Sequence, residues 1–404
     1  MGGPAAHWVF PLICLGSTQL AVFRISKLYR LRCNWRIPDS LVPWRVTARL
    51  RPARYGGYNL YAMQIQELGE FGVIDLLCRM VVQRRSGTNH GADFAFKLTV
   101  DNGDDTAAWR TGTATELFTT DTVVEGIHFT KETTPWQDLG WKSIASNVSD
   151  IAAMGGLPMY AVVTLGLPPE TEVGDLEHLY QGMMEISNKH GVAIVGGDMV
   201  RSPVVFITVA LTGIHADEPM LRSTAQPGDQ VAVTGYLGGS GGGLRLMLDD
   251  GPGSIMSREI SGEAAEYLRL CHRRPQPAVA EGRILTASGV ATAMDVSDGL
   301  ADDLSKLCRS SGLSARIFAE QVPVHPLLKQ AFPDEYLDLA LGGGEDYLLL
   351  FTASPNVMAQ VMPQLPEGAA VVGEILDGDA GKVSVVDGDG SERPGFGAGW
   401  DHFR

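Results

Sequence analysis

Hydrophobic positions along the chain switch between a period of two and a period near 3.6, which predicts alternating strands and helices. Leu117–Thr120 is a β-rich run that ends on an aspartate. From Asp138 to Met154 the residues Trp141, Ile144, Ala145, Val148 and Ile151 recur at spacings of three and four. That pattern predicts a helix capped by Asp138 and ended by Gly155-Gly156. Tyr160–Leu167 reads as a strand, and Leu176–His190 as a helix closed by Gly191. Val192–Val195 and Val204–Ile214 read as strands, the second with β-branched alternation. Pro219 to Gly228 is turn-rich and marks a domain boundary. A second series starts with a strand at Asp229–Thr234. Helices follow at 241–249, 278–288 and 300–310, with strands near 291–295, 347–352, 370–375 and 382–386. Alternation in both halves predicts two α/β or α+β domains.

Residues 1–62 do not share this patterning. They carry nine Lys/Arg and one acid, Asp39, out of 32 and 47 in the whole chain, so the other 342 residues hold 23 bases and 46 acids. The apolar stretch Trp8–Phe23 is broken by Gly16, Ser17, Thr18 and Gln19, and is short of the roughly 20 residues a membrane span needs. No basic residue precedes it, unlike a secretory signal. We read 1–62 as an extension, either disordered or upstream of the true start, with a membrane anchor as the alternative. The expected division is then 1–62, an N-terminal domain at 63–218 and a C-terminal domain at 219–404.

The charge excludes one class of function. A strongly acidic body lacks the basic face that nucleic-acid binding needs. The composition, 45% hydrophobic and 20% charged, is that of a globular protein. Five scattered cysteines, Cys14, Cys33, Cys78, Cys271 and Cys308, form no CxxC pair. Neither a zinc site nor a disulfide framework is signalled, and a reducing cytoplasm is the simplest setting.

The chemistry is expected in turns that put carboxylates beside glycine or at strand ends. These are Gly103-Asp104-Asp105, Thr119-Thr120-Asp121, Gly196-Gly197-Asp198, Asp295-Val296-Ser297-Asp298-Gly299 and Gly342-Gly343-Gly344-Glu345-Asp346, with Asp150 on the predicted helix. One Gly-Asp turn is ordinarily only a turn. Five at predicted element ends point to a shared metal site, since hard cations such as Mg²⁺ take oxygen ligands. Through such ions an acidic protein can bind polyanions. The run Gly235–Gly243 resembles a phosphate loop but lacks the Lys-Ser/Thr ending and the dinucleotide spacing. There is no HExxH and no GxSxG.

The chain from about Leu68 to Arg404 resembles the thiamine-monophosphate kinase family. The resemblance rests on Gly69-Glu70-Phe71, Gly103-Asp104-Asp105, Thr119 through Phe129, Trp141-Lys142, Asn147 through Gly155, and Gly196-Gly197-Asp198 with Arg201. It continues with Asp295 through Leu300, Gly343 through Tyr347 and the tail Gly399-Trp400-Asp401-His402-Phe403. It implies the two-domain fold of aminoimidazole ribonucleotide synthetase and its relatives, with N-terminal sheets pairing across a homodimer. The implied activity is ATP-dependent phosphorylation of thiamine monophosphate to thiamine diphosphate. A sister ATP-dependent synthetase of the superfamily is the alternative.

The resemblance also implies roles. Asp105, Thr119, Thr120, Asp121, Asp150, Asp198, Asp295 and Asp298 would hold several Mg²⁺ ions. Tyr180, Gly197, Asp198, Arg201 and Ser297 would contact ATP. His128, Glu345 and Trp400 would hold thiamine monophosphate. Taken alone, His128 reads as structural, and Trp400 has a packing role as its alternative. Two loops depart from the family pattern. Gly238-Gly239-Ser240 lacks an acid usual there, and Gln226 stands where a lysine is usual.

Overall fold

The computed structural model of the chain describes residues 54–55, 58–59, 97–100, 104–111, 114–249 and 260–393. Two compact units separate at Met1–Ala62 and Met63–Arg404. In the first, strands β1 (Arg54–Tyr55) and β2 (Tyr58–Asn59) form a small antiparallel pair. Everything else described belongs to the second unit.

Its N-terminal half is a six-stranded sheet with helices on one face. The strands are β3 (Lys97–Val100), β4 (Ala107–Arg110), β5 (Thr115–Val124), β6 (Leu157–Leu167), β7 (Ala193–Arg201) and β8 (Phe206–His215), in the order β3-β4-β5-β8-β6-β7. All neighbours are antiparallel except β6 and β7. Helix α1 (Trp136–Ala153) lies on the sheet, and α2 (Val173–His190) covers α1. Leu117, Ile144, Val148, Ile151, Ala161 and Leu179 meet in the core between them. The α1–α2 crossing is made by glycines. A Cβ on Gly140 would stand 1.9 Å from the Leu179 carbonyl oxygen, and one on Gly182 would stand 1.7 Å from that of Gln137.

The C-terminal half is a second six-stranded sheet, ordered β10-β12-β9-β13-β11-β14. Its strands are β9 (Gln230–Val233), β10 (Thr292–Asp295), β11 (Ser314–Phe318), β12 (Leu349–Ala353), β13 (Ala370–Leu376) and β14 (Val383–Val386). Helices α3 (Gly239–Asp249), α4 (Gly262–Arg273), α5 (Val279–Ala287) and α6 (Leu300–Ser311) pack around it. Short helices α7 (Pro326–Ala331), α8 (Tyr336–Gly342) and α9 (Pro355–Val361) complete it. A third apolar cluster, including Ala152, Met220, Leu285, Leu349 and Phe351, joins the end of α1 to the second sheet.

Three local expectations are corrected. Asp138 does not cap α1. The helix starts two residues earlier after Pro135, and Asp138 sits in its first turn, paired with Arg274 at 2.5 Å. Gly196-Gly197-Asp198 is not a turn at a strand end. It lies inside β7, where pairing with Val162–Thr164 of β6 overrides the turn preference of glycine. Helix α4, absent from the periodicity reading, starts at the N-cap Ser261, whose side chain accepts from the Ala264 N–H.

Candidate functional site

Helix α1 is the spine of the site. It is buried almost all round, between the first sheet, α2 and the second domain, so its polar residues face protein rather than water. Lys142 stands near its start, and Asn147, Ser149 and Asp150 share a later turn. The Lys142 ammonium donates to Glu345 at 2.8 Å. Asn147 Oδ1 accepts from the Asp121 backbone N–H at 3.1 Å. Ser149 donates to Asp295 at 2.8 Å, and Asp150 accepts from Thr119 at 2.5 Å.

Strand β5 meets α1 with alternate residues. Leu117, Thr119, Asp121 and Val123 turn toward the helix, while Phe118, Thr120 and Thr122 are exposed on the other face. Thr120 donates to the Val209 carbonyl at 2.9 Å, and Thr122 pairs with Thr208 at 2.8 Å. The Thr120 side chain is therefore not brought to the carboxylates that Thr119 and Asp121 join. Period-two pleating makes this unavoidable for adjacent residues.

Oxygens of Asp105, Asp150 and Asp295 lie within 4.8 Å of one another, although the three residues come from a loop, a helix and a strand of two domains. Their ionisation is perturbed accordingly. Burial first, then the charges of Asp121, Asp295 and Asp105, hold the Asp150 carboxyl well above the usual carboxylate range. Burial and Asp105 do the same for Asp295, and burial raises Asp121. Asp104, beside them, is pushed up to about 7 by burial and by Asp105. An all-oxygen set of buried, mutually repelling carboxylates fits a hard divalent cation.

The cation that the structure sets on this group is Arg222. Its guanidinium clamps Asp105 in two bonds of 2.8 and 2.6 Å, and its backbone N–H donates to Asp104 at 3.0 Å. Sequence reasoning gave Arg222 no role and preferred Arg201. Arg201 ends β7 and lines a shallow cavity of about 400 Å³ with Pro168, Glu170 and Ser202. Gly197 and Asp198 share the edge strand β7, and Tyr180 is 38% exposed on α2.

The turn after β10 carries Ser297 and Asp298. Asp303, fully buried on α6, accepts from the backbone N–H groups of Ser297, Asp298 and Gly299 at 2.9, 2.9 and 3.1 Å. Lys306 pairs with Asp298, Asp302 and Asp303. Asp303 and Lys306 had no sequence signal beyond their helical spacing. Glu345 lies in the loop between α8 and β12. Burial would raise its carboxyl, but the Lys142 ammonium beside it outweighs that and holds it below the usual range. His128 Nδ1 accepts from the Val124 N–H at 3.1 Å. Trp400 and Gly69-Glu70-Phe71 lie outside the described residues.

Comparison with known proteins places this arrangement. The sequence profile of the AIR synthase related protein N-terminal domain matches residues 103–215, and that of the C-terminal domain matches 226–386. The thiamine-monophosphate kinase of Aquifex aeolicus is 34% identical over 347 residues, 84% of this chain and 100% of that protein. The chain belongs to the thiamine-monophosphate kinase family. A second member, from Mycobacterium tuberculosis, is 34% identical over 84% of this chain and 93% of its own length. Among solved structures, AaThiL complexed with AMPPCP and TMP superposes with a TM-score of 0.71 at 32% identity, covering 85% of this chain and 99% of that one. The hydrogenase maturation protein HypE in complex with ATP is 19% identical, with a TM-score of 0.57 over 78% of this chain and 96% of that one, and shares the fold. Within the thiamine-monophosphate kinase family the two-domain expectation therefore holds, in its α+β form. Among the described residues, no helix is long and apolar enough to cross a membrane.

Proposed function

We propose that this chain transfers the terminal phosphoryl group of ATP to thiamine monophosphate, giving thiamine diphosphate and ADP. The observation that carries the reading is the convergence of Asp105, Asp150 and Asp295 from both domains of this kinase fold. The nucleophile is a phosphate oxygen, and a phosphate monoester is largely ionised at neutral pH because its second pKa is about 6. No general base is then required. The task is to bring two polyanions together in line.

Divalent cations such as Mg²⁺, held by Asp105, Asp121, Asp150, Asp295 and Asp298, would neutralise both phosphates and the transferring group. The chain's own part is preorganisation. Thr119 and Ser149 fix Asp150 and Asp295, Arg222 fixes Asp105, and Asp303 fixes the turn that presents Ser297 and Asp298. Glu345 and His128 hold thiamine monophosphate in this reading, with Trp400 of the C-terminal tail. Gly197, Asp198 and Arg201 serve ATP from the edge of the first sheet, and Tyr180 from α2.

The chain acts as a homodimer in this proposal. The sheet face opposite α1 is open and partly apolar, with Phe118 41% and Tyr160 52% exposed, and the edge strand β7 leaves Val195 61% and Met199 60% exposed. An uncovered edge of that length invites pairing with a second copy. The functional test is a phosphoryl-transfer assay on the full chain with ATP, comparing thiamine, thiamine monophosphate and aminoimidazole ribonucleotide precursors. Stoichiometric ADP and thiamine diphosphate from thiamine monophosphate alone is the expected result. Turnover of another acceptor in its place would overturn the reading.

A further inference from the structure

Lys142 is 2% exposed, among the largest fully buried side chains of the described residues. Lysine is almost never fully buried without a partner, and burying an ion pair is poor as a source of stability. Its surroundings suggest orientation instead. Lys142 reaches out of α1 to Glu345 Oε2 at 2.8 Å and to His272 Nε2, on α4, at 3.2 Å. The other ring nitrogen of His272 is 3.1 Å from the Ser240 hydroxyl on α3. Ser240 returns to the Glu345 loop, since its backbone N–H donates to Asp346 at 3.0 Å. The contacts close a ring: Glu345, Lys142, His272, Ser240, Asp346 and back along the chain to Glu345.

The ring fixes proton positions. Burial holds His272 down to about 4, so the imidazole is neutral. An ammonium has no acceptor, so Nε2 must accept from Lys142 and Nδ1 carries the hydrogen toward Ser240. The backbone within the ring is also forced. Glu345 has φ +64° and Tyr347 φ +52°, a region that non-glycine residues enter only when their surroundings impose it. The Glu345 N–H donates to the Ser297 carbonyl at 2.8 Å and the Tyr347 N–H to that of Val296 at 2.9 Å. A Cβ on Gly344 would stand 2.4 Å from the Ser297 carbonyl oxygen, so only glycine fits there. These contacts restrain the loop backbone, and the short hydrogen bond to the Glu345 carboxylate comes from Lys142.

We infer that Lys142 is a positioning residue for thiamine monophosphate: through the His272–Ser240–Asp346 ring it locks the rotamer of Glu345 and ties the substrate carboxylate of the second domain to the helix that carries Asp150. This rests on the function proposed above and adds to it a group from the N-terminal domain that never touches substrate. Both contacts of Lys142 and His272 with Glu345 fall on Oε2. A carboxylate held by one oxygen presents the other in a fixed direction.

The test is steady-state kinetics on the full chain with Lys142→Met, Lys142→Arg, Glu345→Gln and the double variant Lys142→Met/Glu345→Gln, with thermal melts of each. Loss of a hydrogen bond to a charged group corresponds to a change on the order of tenfold or more. Lys142→Met is expected to raise KM for thiamine monophosphate by about that factor and to move KM for ATP by less than about twofold. Lys142→Arg is expected to recover part of the loss. In the Glu345→Gln background, Lys142→Met is expected to add nothing, because it acts through Glu345. The double variant carries no unpaired buried charge, so it keeps the test open if Lys142→Met alone does not fold. Equal shifts in both KM values, or additive effects in the double variant, would overturn the inference while leaving the kinase reading intact. A wild-type chain inactive on thiamine monophosphate would overturn the kinase reading, and this inference with it.

Discussion

Replacing Asp150 by asparagine is expected to stabilise the metal-free protein while abolishing its activity. Asp150 has the Thr119 hydroxyl as its donor, whereas Asp105 is neutralised by Arg222. Its oxygen lies within 4.8 Å of both Asp105 and Asp295. Two carboxylates at that distance repel by about 3 kcal/mol at an effective dielectric constant of 20. Linkage sets an independent ceiling. A carboxyl whose folded pKa is raised holds its proton more tightly when folded, so its contribution is fully present below the unfolded value and lost as pH rises toward the folded one. A carboxyl that ionises near 3.9 when unfolded and stays protonated in the fold at pH 7 costs at most about 4 kcal/mol there. Asparagine keeps the bond from Thr119 and has no charge to suppress. The variant should therefore match the wild type near pH 3.5 and exceed it by about 3 kcal/mol at pH 7. The assay is urea denaturation in chelator at the two pH values, repeated with millimolar Mg²⁺. Magnesium should raise the wild type and leave the variant nearly unmoved. A variant that is less stable at pH 7, or whose advantage does not grow with pH, would refute the account of the cluster as an anionic cage.

Two further substitutions test the supports of the site. Asp303→Ala removes the acceptor of three backbone N–H groups and should cost about 3 kcal/mol in urea denaturation; a loss under about 1 kcal/mol would mean that the Asp295–Gly299 turn holds itself. Gly182→Ala drives a methyl group into the Gln137 carbonyl across the α1–α2 crossing and should lower stability by about 2 kcal/mol or more, read as a drop in Tm. Because α1 carries Asp150, kcat should fall with it; an unchanged Tm would show that the crossing has room to spare.

Much of the fold was legible because its long elements are strongly periodic. The core face of α1 appears in Trp141, Ile144, Val148 and Ile151, and that of β8 in its β-branched alternation. Ends were less legible, because partners rather than propensity decide them. Strand β7 runs on through Gly196-Gly197 because β6 pairs with it, and α1 begins at Trp136 rather than after Asp138. The carboxylates of the candidate site stood out as acids at element ends, and the structure gathers Asp105, Asp121, Asp150 and Asp295. The groups that orient them were given no role of their own. Lys142, Ser149, Arg222, Asp303 and His272 are ordinary residue types in ordinary helical or loop positions, and they acquire meaning through partners five to two hundred residues away. Thr120 shows the converse: a residue next to two site residues in sequence is carried to the opposite face by the pleat.

Strand β5 writes two surfaces in one stretch of ten residues, the interior chemistry on one parity and the open sheet face on the other. Such a segment tolerates substitution far better than a change of length. Deleting one residue before Thr119 without re-pairing would turn Phe118, Thr120 and Thr122 inward against α1 and send Thr119 and Asp121 out. Sequence drift can adjust either surface separately, since odd and even positions answer to different neighbours. A single-residue insertion or deletion would trade one surface for the other, so β5 should stand out as a gap-free block wherever this architecture is varied.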